Sequence, residues 1–319
     1  MSEVVTLSEH DVRSLVGPPE ALAAMRTAFA ALYRGEVTQP ANMDFEFPEA
    51  RGEAHLKGAH IHGASHWCVK AAAGFWSNVE RGLPVTSGLS LVFSAEAGLL
   101  TAILNDNGYL TELRTGAAGA LAADLLAVEN VEQAAIIGAG GQARYQLEAL
   151  LGVRRPARVV VSSRSGAERY AEEMHRKHDI HVAVVPDIET AVRSSQIVVT
   201  TTPSREPLIR AEWIQPGTHV TAMGSDFPEK HELDTEVIWE ADVVAADHPP
   251  VAAQNGELHH ALEANAIRID EIVPLGALVT GDAEGRSSDR QITVCDLVGV
   301  GVQDAAIAGE VVTRAGLAA

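Results

Sequence analysis

An α/β protein with a Rossmann-type, doubly wound parallel sheet, joined to a second part of mixed α+β character, is the fold class this sequence predicts. Three observations predict it. Short apolar strands alternate with helical stretches through the middle of the chain. A glycine-rich turn follows the first of those strands. The first third has a different rhythm, with one long helix and several hairpin-like strands.

The segment GPPEALAAMRTAFAALYRG, residues 17 to 35, sets Leu22, Met25, Phe29 and Leu32 at helical spacing, with Pro18 and Pro19 suited to its start and Gly35 to its end. AHLKGAHIHG, HWCVKAAAGF and SGLSLVFSAEAGLLTAILN read as strands, and SAEAG as a hairpin turn. NDNGYLTELRTGAAGALAADLLA is a helix rich in Ala and Gly, with Thr111 as its expected cap. The βαβ rhythm then runs through EQAAIIGAGGQARYQLEALLG, ARVVVSSRSGAERYAEEMHRKH, SSQIVVTTTPS and GTHVTAMGSD. After the polar loop GDAEGRSSDRQ, ITVCDLVGVGVQDAAIAGEVVTRA reads as a strand entering a helix. No long linker or repeat interrupts the chain, so the two halves are expected to pack closely around a cleft that holds the site.

Composition narrows the function. The chain has 319 residues, 46% of them hydrophobic and 21% charged, enough for a full core. Its formal net charge of -19 argues against nucleic acid, since little here could neutralise phosphates in number. Cys68 and Cys295 are far apart in sequence and fit two buried thiols in a reducing compartment. The N-terminal MSEVVTLSEHDV has no signal-like apolar region, and no apolar run reaches the roughly 18 residues of a membrane span. A soluble cytoplasmic protein with no membrane partner is expected.

In AAIIGAGGQARYQ, a strand runs into Gly138-Ala139-Gly140-Gly141-Gln142-Ala143 and then a helix, which is G-x-G-x-x-A in its required context. Gly138 permits the tight turn, Gly140 lets backbone approach a pyrophosphate, and Ala143 lets helix and strand lie close. The helix start, with Gly141 and Gln142, offers free N–H groups to the anion. The next strand, RVVVSSRS, ends where a ribose-binding acid would stand, but Ser163, Arg164 and Ser165 occupy the place. A guanidinium flanked by hydroxyls suits a 2′-phosphate, so NADP is expected in preference to NAD.

Ligands of open α/β sheets lie beyond the carboxyl ends of the strands. TTTPS (200 to 204) and MGSD (223 to 226) are two such ends. They place Thr202, Pro203, Met223 and Gly224 at the cofactor and turn Asp226 toward the nicotinamide side. In the first third, Lys70 interrupts an apolar strand and Arg114 precedes two apolar helical turns. A solvated charge is the ordinary reading of each. The apolar turns after Arg114 point it instead toward the cleft. His55, His60, His62 and His66 invite a metal, with His60 and His62 on one strand face. No acid or cysteine completes a set at ligand spacing, and no metal is expected.

VKAAAGF, NDNGYLTELRTGAAGALAA, IIGAGGQA and TAMGSDFPEKHELD together resemble the ornithine cyclodeaminase/μ-crystallin family, over nearly the whole chain from LSEHDV to VQDAAIAG. The branch labelled ectoine-utilisation cyclodeaminase-like is the most similar. The resemblance implies a discontinuous substrate-binding and dimerisation domain, residues 1–115 and 296–319, around a dinucleotide-binding domain, 116–295. It implies that Lys70 and Arg114 bind a substrate carboxylate, with Lys70 also able to polarise an imine or carbonyl. Thr115 then touches the cofactor, and Asp226 is the acid/base at the reacting carbon's amine or imine. The family pattern carries an arginine near a QP step, whereas TQPANMDFEF has Asn42 and Met43 there, which makes Lys57 the substitute. The family's small hydroxyl residue after GLP is displaced too, the chain reading Pro84, Val85, Thr86. A homodimer is implied, with the long apolar hairpin SGLSLVFSAEAGLLTAILN as its expected pairing surface.

Two enzymes share these residues. One is an NAD(P)-dependent imine reductase or amino-acid dehydrogenase acting on a small amino or imino acid. The other is a cyclodeaminase-type ammonia lyase in which NAD takes a hydride and returns it. Ser163, Arg164 and Ser165 favour the first, because a 2′-phosphate suits a reductase that exchanges its cofactor. A third reading, a protein that merely keeps a dinucleotide, is disfavoured by the intact Asp226.

Overall fold

A computed structural model of the chain describes residues 4–317. They form two compact units, 4–114 with 300–317 and 115–299.

The first unit contains β1 (Val5–Ser8), α1 (Glu9–Leu15), α2 (Pro18–Tyr33), β2 (Val37–Thr38), β3 (Met43–Phe47), β4 (Gly52–Ile61), β5 (His66–Phe75), β6 (Thr86–Ser94) and β7 (Leu100–Asn105). The unit boundary falls inside α3 (Tyr109–Leu126). The strands form one sheet in the order β1-β7-β6-β5-β4-β2, with β3 also on β4. All its pairs are antiparallel except β1 with β7. The helix expected over 17 to 35 is α2. It buries Met25 and Phe29, and Gly35 leaves it at φ 72°. Thr111 does not cap α3. The helix starts earlier, after Asn107 and Gly108 turn the chain at positive φ, and the Asp106 carboxylate accepts from the Leu110 N–H at 2.7 Å. The β6–β7 hairpin lies inside the sheet, paired on both sides, so it offers no edge to a partner.

The second unit continues with β8 (Gln133–Ile137), α4 (Gly141–Leu150), β9 (Arg158–Ser162), α5 (Ala167–His178), β10 (Val182–Val184), α6 (Ile188–Arg193), β11 (Ile197–Thr200), β12 (His219–Ala222), α7 (Thr235–Trp239), β13 (Val243–Ala246), α8 (Pro249–Ala252), α9 (Gly256–Glu263), β14 (Val273–Pro274), α10 (Leu275–Thr280) and β15 (Thr293–Asp296). Its eight strands are all parallel, ordered β10-β9-β8-β11-β12-β15-β13-β14. Side chains alternate across a strand, so one run of apolar residues fills two cores. Ala134 and Ile136 of β8 face one core, with Leu147 of α4 and Tyr170 of α5. Ala135 and Ile137 face the other, with Val237 of α7 and Leu258 of α9. This is the doubly wound parallel sheet that the alternating apolar strands predict.

The last helix, α11 (Gly301–Arg314), returns to the first unit and packs on α2, β4 and β5. It approaches the sheet at Gly301, where a Cβ would lie 2.6 Å from the Gly58 carbonyl oxygen. Cys68 and Cys295 are buried, unpaired thiols. Among the described residues no helix is long and apolar enough to cross a membrane.

Candidate functional site

In the first unit, strand register assembles a cation cluster. Lys57 on β4 stands directly opposite Lys70 on β5. Like charges so opposed repel, and both are nearly buried, at 8% and 3% exposure. A counter-charge comes from α11: the Asp304 carboxylate, itself 3% exposed, has Oδ1 at 3.0 Å from Lys70 Nζ and 3.2 Å from Arg114 Nε. Arg114 also donates through Nη1 to Gln303 Oε1 at 3.4 Å. Gln303 is fixed in turn, accepting from the Val300 N–H at 2.8 Å and donating to Met25 Sδ at 3.5 Å. Arg114 is thus buried and bonded rather than solvated.

Burial lowers the Lys70 ammonium to about 8, against the pull of Asp304. For Asp304, burial pushes the carboxyl up, but Lys70, Arg114 and Lys57 outweigh it and hold the group below its ordinary value. Burial raises nearby Asp106 to about 6. Lys70 and Arg114 on one carboxylate, with Lys57 opposite Lys70, gather donors of the kind that bind a carboxylate. Asp304 Oδ2 is buried without a hydrogen-bond partner among the described residues, which leaves one more acceptor there.

His60 and His62 stand with ring centroids 6.0 Å apart, but each ring bonds elsewhere. His60 Nε2 contacts the Ala64 carbonyl at 3.2 Å, and His62, beyond the end of β4, contacts Thr38 Oγ1 at 2.9 Å. Acids do stand beside His55, contrary to the sequence spacing. The β3–β4 register brings Asp44 Oδ1 to 2.7 Å from Nδ1, and Glu53 Oε1 lies 3.7 Å from Nε2.

In the second unit, the fingerprint has the geometry its residues require. Gly138 sits at φ 109°, and a Cβ there would lie 2.6 Å from Thr201 Oγ1, so both the turn and the neighbouring loop demand glycine. A Cβ at Gly140 would meet nothing within 4 Å, so the outer side of the turn is open to a ligand. Gly140 is the N-cap of α4, so the helix begins on that turn with Gly141, Gln142 and Ala143 in its first turn. Ala143 is fully buried, and its carbonyl accepts from the Tyr170 hydroxyl at 3.1 Å. These features fit a dinucleotide pyrophosphate. Thr115 lies beside this helix, its carbonyl accepting from Gln146 Nε2 at 3.0 Å.

After β9, Ser163 Oγ donates to the Ser165 carbonyl at 3.0 Å and shapes a turn in which Arg164 is exposed. At the ends of β11 and β12, Thr202 and Gly224 both donate to the Glu232 carboxylate, and the Met223 N–H donates to the Thr200 carbonyl at 3.2 Å. Asp226 follows on that loop, with Oδ1 2.5 Å from Lys230 Nζ. The loop thus carries a partly exposed carboxylate oriented by an ammonium, a group able to move a proton.

Four residues of this machinery escape the motif reading. Arg144 follows the fingerprint directly and staples it, with Nη1 donating to the Ala139 and Gly140 carbonyls at 2.9 and 2.8 Å and Nη2 to Glu173 at 2.7 Å. Lys230 lies one helical turn past Asp226 in sequence. Asp304 and Gln303 sit among apolar residues in the first half of α11, where a charge signals a buried partner.

A model of the ornithine cyclodeaminase/mu-crystallin family matches residues 2–316. An uncharacterised cyclodeaminase of Sinorhizobium fredii is 42% identical over 313 residues, 97% of this chain and 95% of that protein. The structure of Thermococcus litoralis Δ(1)-pyrroline-2-carboxylate reductase in complex with NADH and L-proline matches with TM-score 0.92 at 28% identity, covering 98% of this chain and 97% of that one. An archaeal alanine dehydrogenase dimer with bound NAD matches with TM-score 0.90 at 34% identity, covering 98% and 96%.

Proposed function

The chain belongs to the ornithine cyclodeaminase/mu-crystallin family, and from that premise we propose that it is an NAD(P)-dependent oxidoreductase of a small amino or imino acid. The observation that carries this reading is the buried pair of cations, Lys70 and Arg114, gathered on Asp304, on a chain that also holds a dinucleotide fingerprint. The solved relatives that hold NADH with L-proline, or NAD in an alanine dehydrogenase, support the substrate class.

The nicotinamide, when bound, supplies or accepts the hydride at the carbon bearing nitrogen. Lys70 and Arg114 hold the substrate carboxylate, with Lys57 in place of the family arginine missing near Asn42. Lys70, lowered to about 8, also donates a hydrogen bond that polarises an imine or carbonyl. Asp226 gives a proton to the nitrogen in reduction and takes one in oxidation, and Lys230 keeps that carboxylate in one orientation. Gly138, Gly140, Gly141, Gln142 and Ala143 hold the pyrophosphate. Thr115, Thr202, Pro203, Met223 and Gly224 line the rest of the cofactor path.

A redox-neutral cyclodeaminase is the second reading, favoured by the cyclodeaminase name of the 42% identical relative. Stoichiometry separates the two. Incubation with NADPH and either Δ(1)-pyrroline-2-carboxylate or pyruvate plus ammonium is expected to consume one nicotinamide per amino acid formed. Ammonia release from a diamino acid with no net change in nicotinamide absorbance would establish the second reading instead.

NADP is the preferred cofactor, although the solved relatives hold NADH and NAD, because no acid follows β9 and Arg164 is exposed there. Arg164→Asp is expected to weaken NADPH binding far more than NADH binding, since it sets a repelling charge against the 2′-phosphate. Equal changes for both cofactors, by fluorescence titration, would contradict the preference.

The enzyme works as a homodimer through its first unit. Met43, Phe45 and Phe47 stand exposed on one side of edge strand β3, and Trp76, Val79 and Leu83 are exposed in the segment after β5. An archaeal relative is a dimer. Sedimentation velocity at micromolar concentration is expected to read a dimer that Phe45→Asp converts to monomer, and a wild-type monomer would contradict it. Two unpaired buried thiols suit a reducing compartment, and we place the enzyme in the cytoplasm.

A further inference from the structure

The segment His231-Glu232-Leu233-Asp234 follows the Asp226 loop, and no step above uses it. Glu232 is fully buried, yet it makes no ion pair among the described residues. Its two oxygens instead accept four hydrogen bonds. Oε1 accepts from the Thr202 N–H and from Thr202 Oγ1, both at 2.7 Å. Oε2 accepts from Thr200 Oγ1 at 2.7 Å and from the Gly224 N–H at 2.9 Å. These donors come from two different strand ends, those of β11 and β12.

We propose that Glu232 is a positioning residue that locks the two strand-end loops assigned to the cofactor into one rigid piece. The inference rests on the dinucleotide reading above. Only a carboxylate accepts four bonds without presenting a donor of its own. The two loops touch so closely that a Cβ at Gly224 would collide with both the Thr202 carbonyl and the Glu232 carboxylate. Glu232 cannot drift, because a second buried carboxylate fixes its backbone. Glu257 of α9, 1% exposed, accepts from the Glu232 N–H at 2.8 Å and the Leu233 N–H at 2.9 Å, and its Oε1 also accepts from the Ser225 hydroxyl. Thr202, Gly224 and Ser225 are thereby held by one connected set of bonds, and Asp226 follows Ser225 directly. Burial pushes the Glu232 carboxyl up, and the bonds from Thr200, Thr202 and Gly224 pull against that rise; a network with every donor satisfied rigidifies what it joins.

Glu232→Gln keeps the shape but turns an amide N–H₂ toward donors on one of the loops. In the folded variant, held below its Tm, the Kd for NADPH read by fluorescence titration is expected to rise about 10- to 100-fold, the usual consequence of losing charge-assisted bonds. Asp234→Ala is the control. Asp234 caps α7 by accepting from the Glu236 N–H at 3.3 Å and touches neither loop, so its loss should lower Tm and leave the Kd unchanged. Glu232→Gln that binds NADPH as tightly as wild type overturns the proposal. Wild-type protein that binds neither NADPH nor NADH overturns the dinucleotide reading and this proposal with it. If Glu232→Gln does not fold, Thr200→Val, which removes a single donor at nearly constant volume, is expected to give a smaller rise in the same Kd, and an unchanged Kd there overturns the proposal.

Discussion

Asp226→Asn is expected to lower turnover about 10²- to 10⁴-fold while cofactor affinity stays at the wild-type value, the usual worth of a positioned proton-transfer group. The amide keeps the volume of the side chain but cannot take up a proton. The loop backbone does not depend on this carboxylate, because Glu232 and Glu257 hold Gly224 and Ser225 from the other side. Lys230, itself only 8% exposed, loses its partner at 2.5 Å, so a loss of stability is expected beside the loss of turnover. Steady-state kinetics at saturating nicotinamide cofactor, paired with cofactor binding by fluorescence, reads both quantities. Near-normal turnover would reduce Asp226 to a turn residue. Loss of cofactor binding would make its role structural.

Asp304→Asn is expected to act on stability and on substrate binding together. The wild-type carboxylate is the buried counter-charge to Lys70 and Arg114, at 3.0 and 3.2 Å. Removing one member of a buried ion pair leaves the other charge uncompensated and costs about 3–5 kcal/mol. The direction of the pH effect follows from the same contacts. Burial already lowers Lys70 to about 8, and Asp304 is what opposes that fall. The Lys70 cation is present below about pH 8 and lost above it, so KM for the carboxylate substrate should rise on the alkaline side. Without Asp304 the lysine loses its proton at lower pH, and the alkaline limb of kcat/KM moves down with it. Arg114→Ala should raise KM and, because the guanidinium also holds Lys70 down, move that limb to higher pH rather than lower. Denaturation curves and the pH profile check the two halves. A variant with wild-type stability and an unmoved limb would remove Asp304 from the site.

The second unit was legible because its physics is local. A strand buried on both faces is a short apolar run, and a turn that must carry Gly138 at positive φ before a helix writes itself into consecutive residues. Lys70, Arg114 and Asp226 were visible as charges in apolar or turn contexts. What joins them was not. The opposition of Lys57 and Lys70 depends on a register between β4 and β5 that neither strand specifies alone. Asp304 reaches Arg114 across 190 positions of sequence, and Glu232 finds its donors at Thr200, Thr202 and Gly224 through loops whose approach no periodicity encodes. The Thr111 cap failed for a similar reason. A hydroxyl at a plausible start was outcompeted by the upstream Asp106, which the Asn107-Gly108 turn brings back onto the first helical amides. The β6–β7 hairpin buries one side, with Val92, Ala102 and Leu104, while Leu91, Phe93 and Ile103 on the other stay half-buried, and further exposed apolar side chains stand on β3.

The central claim is net hydride transfer between a nicotinamide and the carbon that carries nitrogen in a small amino or imino acid. Its most direct test uses NADPH deuterated at the reactive nicotinamide carbon, with Δ(1)-pyrroline-2-carboxylate or pyruvate plus ammonium in ordinary water, and mass spectrometry of the product. The account predicts one deuterium on the α-carbon of each amino acid formed, matched by one oxidised nicotinamide, with both formed about 10²- to 10⁴-fold more slowly in Asp226→Asn. Failure to oxidise the nicotinamide with any of these imino acids, together with ammonia release from an α-deuterated diamino acid whose deuterium returns to the cyclised product, would contradict it.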